Sequence, residues 1–400
     1  MMEQKYELKK AFQIGFMCIF SYVVSYFVRN LLSVSTPEML AGGKFTKEFI
    51  GTLSSCYFIT YAFGQLINGV IGDMVKPKFM VGLGLVICGI ASMMFGIVNL
   101  GIIQIFIFVV MGFSLSMLRG PLVKTISENT IPKYARICCV FLSFAACAGP
   151  LIASFLSLLF KWRLMFIVSG FISIAVGVIA YITLDFFERK NIITVSFKEK
   201  EEKKRIWDAF KLNKFVYYML IGALTEIAFT SINFWVPTYL TERLMYSMDA
   251  SKMIFSAMGV IRSCIPFVTL YVFRLFKEKD ICMIKCCFVV ATLLFAGVLF
   301  ITQKYINVIL FVLSLMVLGF ASTVLWSIYI PSQSESKMVS TINGMLDFTG
   351  YAFAAGANVV FSFTMNIIGW NGIIVIWIVL AASGIIASVI QQKKETRGNK

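Results

Sequence analysis

The sequence predicts an all-α membrane protein with twelve transmembrane helices in two pseudo-symmetric six-helix bundles. Hydrophobic residues make up 59% of the 400-residue chain and charged residues 14%, whereas about a quarter of a soluble domain is charged. One span takes about 20 residues, so twelve spans with short loops use the whole chain. Backbone groups in lipid must be hydrogen-bonded internally. The apolar runs also lack the alternation of membrane β-strands, so we expect helices.

Twelve apolar runs carry these predicted helices. They cover roughly residues 11–35, 48–72, 79–98, 101–123, 138–159, 164–184, 215–240, 251–273, 285–302, 306–330, 341–363 and 370–390. Pro37 near the end of the first run matches Pro237 near the end of the seventh, as in transporters built from two repeats. We therefore expect an N-terminal bundle at 1–184, a linker at 185–214 and a C-terminal bundle at 215–400.

Basic residues are concentrated in alternate loops. The 36 lysines and arginines exceed the 20 acidic residues, which gives a net charge of +16. The positive-inside rule then predicts that both termini and the linker are cytoplasmic, and we read the charge as membrane topology and not as nucleic-acid binding. The first run is too long for a signal peptide and lacks a cleavage site. We expect a multi-pass protein of the cell (plasma or inner) membrane.

The composition argues against most enzyme chemistry. The chain has no histidine, which removes the side chain that usually titrates near neutral pH. Cys282, Cys286 and Cys287 form a cluster with no second cluster to complete a zinc site. No GxxxxGK[ST] phosphate loop occurs. We expect no catalytic residues, no metal and no cofactor.

A loop motif follows the second run. Gly69 precedes Asp73 by four residues, and Lys76, Pro77 and Lys78 come next. This pattern resembles the loop signature of the major facilitator superfamily. Gly69 permits close helix approach, and Asp73 can cap a helix N-terminus. We expect Gly69, Asp73 and Lys78 to act in a conformational switch.

Further motifs occur in both halves: Tyr26-Phe27-Val28-Arg29 with Pro37-Glu38, Trp235 to Leu240, Gly350-Tyr351 and Gly369 to Gly372. Together with the loop, they resemble the organophosphate:phosphate antiporters, the glycerol-3-phosphate and hexose-phosphate transporter type. The resemblance implies that Arg29 binds a substrate phosphate. It also implies a second arginine in the seventh helix, but Phe229 stands at that position here. The family's fifth-helix histidine aligns near Cys147.

Charged residues inside apolar spans are functional candidates because burying charge in a bilayer is costly. Tyr22, Tyr26 and Arg29 are spaced to share one helix face. Guanidinium binds carboxylate or phosphate through two parallel hydrogen bonds. An arginine near a helix end can also simply extend to the membrane surface.

Further candidates for a solute site come from both halves. Gly120 and Pro121 suggest a helix break between Arg119 and Lys124, and Arg262 lies within the eighth run. Glu226 is a candidate partner for Arg29 or a proton carrier, whereas structural ion pairing is the alternative for all these charges. The remaining candidates are Asn233 and Tyr351 as hydrogen-bonding residues and Asp347 as a gating residue.

These features favour a secondary active transporter of a small organic or phosphorylated anion that works by alternating access. We expect exchange for phosphate or coupling to protons, and a monomer in the lipid bilayer. The alternatives are a membrane sensor of a phosphorylated solute on the same fold and a facilitator-type transporter of a non-anionic solute. An intramembrane enzyme is a third alternative, and it lacks a histidine base.

Overall fold

The computed structural model describes residues 2–43, 45–195 and 206–398, without the side chains of 2, 3, 47, 206, 233, 234, 248, 249, 252, 358–366 and 398. The described residues are almost entirely helical. The helices are α1 Met2–Arg29, α2 Leu31–Ala41, α3 Lys47–Met74, α4 Pro77–Ile97, α5 Gly101–Leu115, α6 Arg119–Asn129, α7 Pro132–Leu159, α8 Trp162–Arg189, α9 Phe215–Glu242, α10 Met248–Leu275, α11 Asp280–Phe300, α12 Lys304–Val324, α13 Ile330–Ser332 and α14 Val339–Gly398.

These helices form the predicted set of twelve long segments. Ten stretches of the described helices are long and apolar enough to cross a membrane. Helix α3 and the part of α14 before Gly369 complete the set. Helix α14 contains one non-helical residue, Gly369, with φ 60° and ψ −168°, a backbone conformation that glycine adopts at low cost. Gly369 therefore separates the two predicted runs at 341–363 and 370–390.

The fourth predicted run is broken, but not where the sequence suggested. The sequence indicated a break at Gly120–Pro121, whereas α5 ends at Leu115 and α6 begins at Arg119. Pro121 has no N–H to donate to the carbonyl of Met117, so the helix loosens one turn earlier. Pro121 then lies in the first turn of α6, where no N–H is needed.

Contacts divide the chain into two compact units. The first comprises Met1–Ala209 with Tyr329–Phe348, and the second comprises Phe210–Ile328 with Thr349–Lys400. The segment Tyr329–Phe348, late in the sequence, thus packs with the N-terminal helices. The expected linker at 185–214 falls partly on residues 196–205, which are outside the described residues.

In the first unit, small residues let α4 and α8 pack closely. A Cβ on Gly89 would lie 2.6 Å from the carbonyl oxygen of Gly170. The hydroxyl of Ser173 donates to the carbonyl of Leu85 at 2.7 Å. Small side chains and hydroxyl hydrogen bonds are the usual means of joining helices in lipid, because hydrophobic burial gives little there.

In the second unit, a charged cluster joins three helices at their ends. Lys214 lies 2.9 Å from Asp280 and 3.0 Å from Glu395, and the hydroxyl of Tyr218 donates to Asp280 at 2.8 Å. Burial lowers the pKa of Lys214, but its hydrogen bonds and charge interactions with Asp280 and Glu395 raise the pKa by more, so the net shift is upward. The ammonium group therefore fixes the start of α9 to α11 and α14.

Candidate functional site

Arg29 ends α1 within a group of aromatic rings. Its guanidinium carbon lies 4.8 Å from the ring centre of Tyr61, 5.1 Å from that of Phe58 and 5.4 Å from that of Tyr26. Aromatic faces attract a guanidinium electrostatically and hold its plane. The side chain is half-buried, so the rings orient its charge inside the unit.

Tyr22 lies one turn before Tyr26 on the same face of α1. The two rings meet edge to face at 5.1 Å, and Tyr22 is 3% exposed. Its hydroxyl is buried and has no hydrogen-bond partner among the described residues. A buried hydroxyl without a partner is costly, and a bound solute could satisfy it.

Arg119 and Asp347 form an ion pair inside the first unit. The Nη1 atom of Arg119 donates to Oδ1 of Asp347 at 3.0 Å, and Asn343 donates to Oδ2 at 3.0 Å. Asp347 is 4% exposed, and the positive charges of Arg119 and Arg29 both act on its carboxylate. We call Arg29, Arg119 and Asp347, with Tyr22 and Asn343, the arginine–aspartate cluster.

Asp73 caps the N-terminus of α14, a helix more than 260 residues away in sequence. Its carboxylate accepts hydrogen bonds from the backbone N–H of Ser340 at 3.1 Å and of Thr341 at 2.7 Å, and from the Thr341 hydroxyl at 2.6 Å. The first N–H groups of a helix lack partners within the helix. Asp73 thus ties α3 to α14 within the first unit.

Lys124 pairs with Asp73 and not with the arginine–aspartate cluster. Its ammonium lies 3.6 Å from Oδ1 of Asp73, and both side chains are 1% exposed. It also donates to the carbonyls of Gly72 and Asp73 at 3.4 and 3.2 Å. Lys124 therefore supplies the counter-charge that a buried carboxylate needs.

Two glycines let α3 approach α14 beside this cap. A Cβ on Gly69 would lie 2.9 Å from the carbonyl oxygen of Ser340 and 3.0 Å from Cα of Gly344. A Cβ on Gly344 would meet the carbonyl oxygen of Gln65. Any larger side chain would push the two helices apart, so both glycines are required for the close approach.

Lys78 belongs to an ion-pair network at the end of α8. It lies 2.6 Å from Asp185 and 2.7 Å from Glu188, and Lys76 also pairs with Glu188. Lys78 is 11% exposed. The network joins the N-terminus of α4 to the C-terminus of α8.

The second unit carries the other candidates. Arg262 is exposed, and its guanidinium carbon lies 4.5 Å from the ring centre of Phe229. Glu226 and Tyr351 are half-buried, and the position of a Cβ on Gly350 is 2.9 Å from Cγ of Glu226. The side chain of Asn233 is outside the described residues.

Comparison with known proteins decides the family. The sequence model of the Major Facilitator Superfamily matches residues 18–357. The chain belongs to the major facilitator superfamily. This match, with the all-helical fold, confirms the predicted fold class and the resemblance of the Gly69–Lys78 loop to the superfamily's loop signature.

Curated relatives match this chain over stretches of different length, some short and one that covers most of the chain. The membrane sensor protein UhpC of Salmonella typhimurium is 32% identical over 75 residues, which are 19% of this chain and 17% of the sensor. A probable hexose phosphate transport protein of Chlamydia trachomatis is 32% identical over 95 residues, 22% of this chain and 21% of the relative. The chain thus spans only about a fifth of these first relatives. The probable L-galactonate transporter of Escherichia coli is 23% identical over 87% of this chain and 81% of the relative.

A solved structure supports the fold. A bacterial homologue of the iron transporter ferroportin, in an outward-facing state, superposes with a TM-score of 0.78 at 12% identity, covering 95% of this chain and 99% of that chain. At this identity the likeness concerns the fold alone.

The site of this major facilitator protein includes residues that sequence reasoning missed. Phe58 and Tyr61 of α3 surround Arg29, and Asn343 holds Asp347. The three-residue spacing from Phe58 to Tyr61 was a signal that these rings share a face. The four-residue spacing from Asn343 to Asp347 within the predicted run 341–363 was likewise a signal that these two side chains meet.

Proposed function

We propose that this protein is a secondary active transporter of a small organic or phosphorylated anion. The observation that carries the proposal is the arginine–aspartate cluster, in which Arg29 and Arg119 lie close to one carboxylate. Each guanidinium presents N–H donors in a planar fork that matches the geometry of a carboxylate or a phosphate. An anionic solute would accept hydrogen bonds from these forks.

Arg29 and Tyr22 are the proposed direct ligands. The rings around Arg29 hold its plane, so a carboxylate or phosphate meets a prearranged fork with little entropy cost. The Tyr22 hydroxyl, which has no partner among the described residues, would donate one more hydrogen bond. The relatives named for hexose phosphate and L-galactonate transport support an acidic sugar derivative.

Transport would proceed by alternating access, with Asp73 and its α14 cap as the switch. The capping hydrogen bonds would hold one conformation and break in the other. We further propose division into bundles 1–184 and 215–400 joined by the linker 185–214. A monomer in the cell membrane is proposed, with Asp347 and Lys78 supporting the switch.

Arg29→Lys tests the binding role. Lysine keeps the charge but loses the planar two-point fork, and one charge-assisted hydrogen bond contributes roughly 1.5–3 kcal/mol. We expect affinity for the anion to fall about ten- to a hundredfold, measured by thermal-shift and calorimetric titration of organic and phosphorylated anions. Arg189→Lys is the matched control, because the Arg189 side chain is 78% exposed and pairs with Asp185 on the same helix. Parent-like affinity in Arg29→Lys would contradict the proposal.

Topology is tested separately. We propose that both termini and the linker are cytoplasmic, because basic residues are concentrated in those segments. A single cysteine at position 200 should react with an impermeant reagent only after cells are permeabilised. Reaction in intact cells would refute this orientation.

A sensor of a phosphorylated solute is the second candidate. The similarity to the sensor UhpC favours it over that stretch. Reconstitution in liposomes separates the two: a transporter accumulates or exchanges the labelled anion that it binds, whereas a sensor binds it without flux.

A further inference from the structure

The sequence repeat relates positions in the first unit to positions in the second. Arg29 lies eight residues before Pro37, and Phe229 lies eight residues before Pro237. Phe229 therefore occupies in α9 the position that Arg29 occupies at the end of α1.

Helices α3 and α10 are related in the same way. Each is 28 residues long. Each also follows a capping residue, Thr46 or Ser247, whose hydroxyl accepts a hydrogen bond from the backbone N–H three residues later. This shared cap fixes the register of the two helices. In that register Tyr61 and Arg262 are equivalent, because each lies fifteen residues after its capping residue.

Contacts inside the two units agree with this relation. The guanidinium carbon of Arg29 lies 4.8 Å from the ring centre of Tyr61, and that of Arg262 lies 4.5 Å from the ring centre of Phe229. The arginine and the ring have thus exchanged helices between the repeats. Each unit nevertheless keeps one guanidinium against an aromatic face, which attracts it and orients its plane.

Arg262 lies at the middle of its helix. At a rise of about 1.5 Å per residue, it is about 20 Å from either end of α10, too far for the side chain to reach the membrane surface. The side chain is exposed, and among the described residues it forms no ion pair. A charge at this depth is costly against lipid, which favours a water-filled path on this side of α10.

We propose that Arg262 is a second anion-binding residue, the counterpart in the second unit of Arg29 in the first. The inference rests on the proposed function of anion transport. The guanidinium of Arg262 donates two parallel hydrogen bonds to a carboxylate or phosphate group of the solute. The ring of Phe229 holds the plane of this fork, so little entropy is lost when the anion binds.

Three variants and one control test this role. Arg262→Lys keeps the charge but loses the planar fork. Arg262→Tyr removes the guanidinium and gives α10 the residue that α3 has at the equivalent position. Adding Phe229→Arg to Arg262→Tyr reproduces in the second unit the arrangement of Arg29 with Tyr61. Arg274→Lys is the matched control, because Arg274 is exposed in the last turn of the same helix.

The full chain, purified into lipid nanodiscs, would be titrated calorimetrically with D-glucuronate, D-galactonate, glucose 6-phosphate and 3-phosphoglycerate. Arg262→Lys should lower the affinity for the anion that the parent binds by about tenfold, and Arg262→Tyr should lower it further. The double variant should recover most of the affinity that Arg262→Tyr loses, and Arg274→Lys should bind as the parent does. The unfolding midpoint without anion is measured in parallel. A purely structural role of Arg262 would lower that midpoint and leave the affinity unchanged, which would refute the proposal.

The outcomes distinguish this inference from the function on which it rests. Binding of none of the four compounds by the parent would overturn both. Parent-like affinity in Arg262→Lys, together with the loss expected in Arg29→Lys, would overturn the role of Arg262 alone. If Arg262→Tyr does not fold, Arg262→Lys still decides, because it keeps the charge. A double variant that folds and binds no more tightly than Arg262→Tyr would contradict the equivalence of the two arginine–ring pairs.

Discussion

Replacing Asp73 by asparagine should slow transport much more than it weakens binding. The Asp73 carboxylate accepts three hydrogen bonds from Ser340 and Thr341. Asparagine offers one acceptor oxygen and no charge, so at least one of these bonds is lost. Each hydrogen bond to a charged group contributes about 1.5–3 kcal/mol.

The substitution also leaves Lys124 without its counter-charge. Removing one partner of a buried pair costs about 3–5 kcal/mol, but Lys124 keeps its bonds to the carbonyls of Gly72 and residue 73. We therefore expect the contact between α3 and α14 to weaken by about 3 kcal/mol, a shift of roughly a hundredfold in the equilibrium that it controls. Conformational steps of this kind set turnover in many proteins.

The assay compares uptake into proteoliposomes with calorimetric affinity for the same anion. Asp73→Asn should lower the maximal rate by about tenfold or more while affinity changes by less than about threefold. Adding Lys124→Met should recover part of the lost stability, because the unpaired charge is removed. Asp280→Asn is the control, since it alters a partly exposed carboxylate that also pairs with a lysine. Equal losses of rate and affinity with normal expression would refute the switch role.

Two further predictions concern stability. Gly344→Val should lower the thermal unfolding midpoint, because the valine side chain would collide with the Gln65 carbonyl and overpacking costs about 1–3 kcal/mol. Gly356→Val is the control, because the space around its Cβ position is open. Equal unfolding midpoints for the two variants would contradict the close approach of α3 and α14. The raised pKa of Lys214 means that its ion pairs stabilise the fold fully below the unfolded pKa of about 10.4 and are lost as pH rises through the higher folded value. The unfolding midpoint of the parent should thus fall toward that of Lys214→Met only at strongly alkaline pH, and a constant difference between the two would argue against this charge interaction.

The loop that contains Asp73 shows how much of a structure a local sequence motif can predict. Its resemblance to the superfamily loop predicted that Gly69 permits a close helix contact and that Asp73 caps a helix N-terminus. The partner could not be predicted from the motif, since Ser340 and Thr341 lie more than 260 residues later and only folding brings them to α3. Lys124 was a candidate solute ligand because a helix break at Gly120–Pro121 could expose this region to a cavity, and its pairing with Asp73 could not be predicted from the sequence.

Arg29 and Asp347 of the candidate site also show which contacts a sequence pattern predicts and which it does not. The helical spacing of Tyr22, Tyr26 and Arg29 places them on one face, and the structure shows the two tyrosine rings in contact. Sequence reasoning offered Glu226 as a partner for Arg29 or as a proton carrier, and it assigned Asp347 to gating. The structure places rings of α3 around Arg29 and joins Asp347 to Arg119.

The sequence by itself determined that this chain is a bundle of about twelve membrane helices, and its Gly69–Lys78 loop resembled the major facilitator signature. The length of the apolar runs and their lack of period-two alternation predict the helices, because each segment in lipid must hydrogen-bond its own backbone groups. Only the tertiary structure decided which buried charges meet, that α5 and α6 part before Arg119, and that Tyr329–Phe348 packs with the N-terminal helices. Those outcomes depend on which helix faces oppose one another across long sequence separations, and a local pattern of hydrophobicity does not encode that choice.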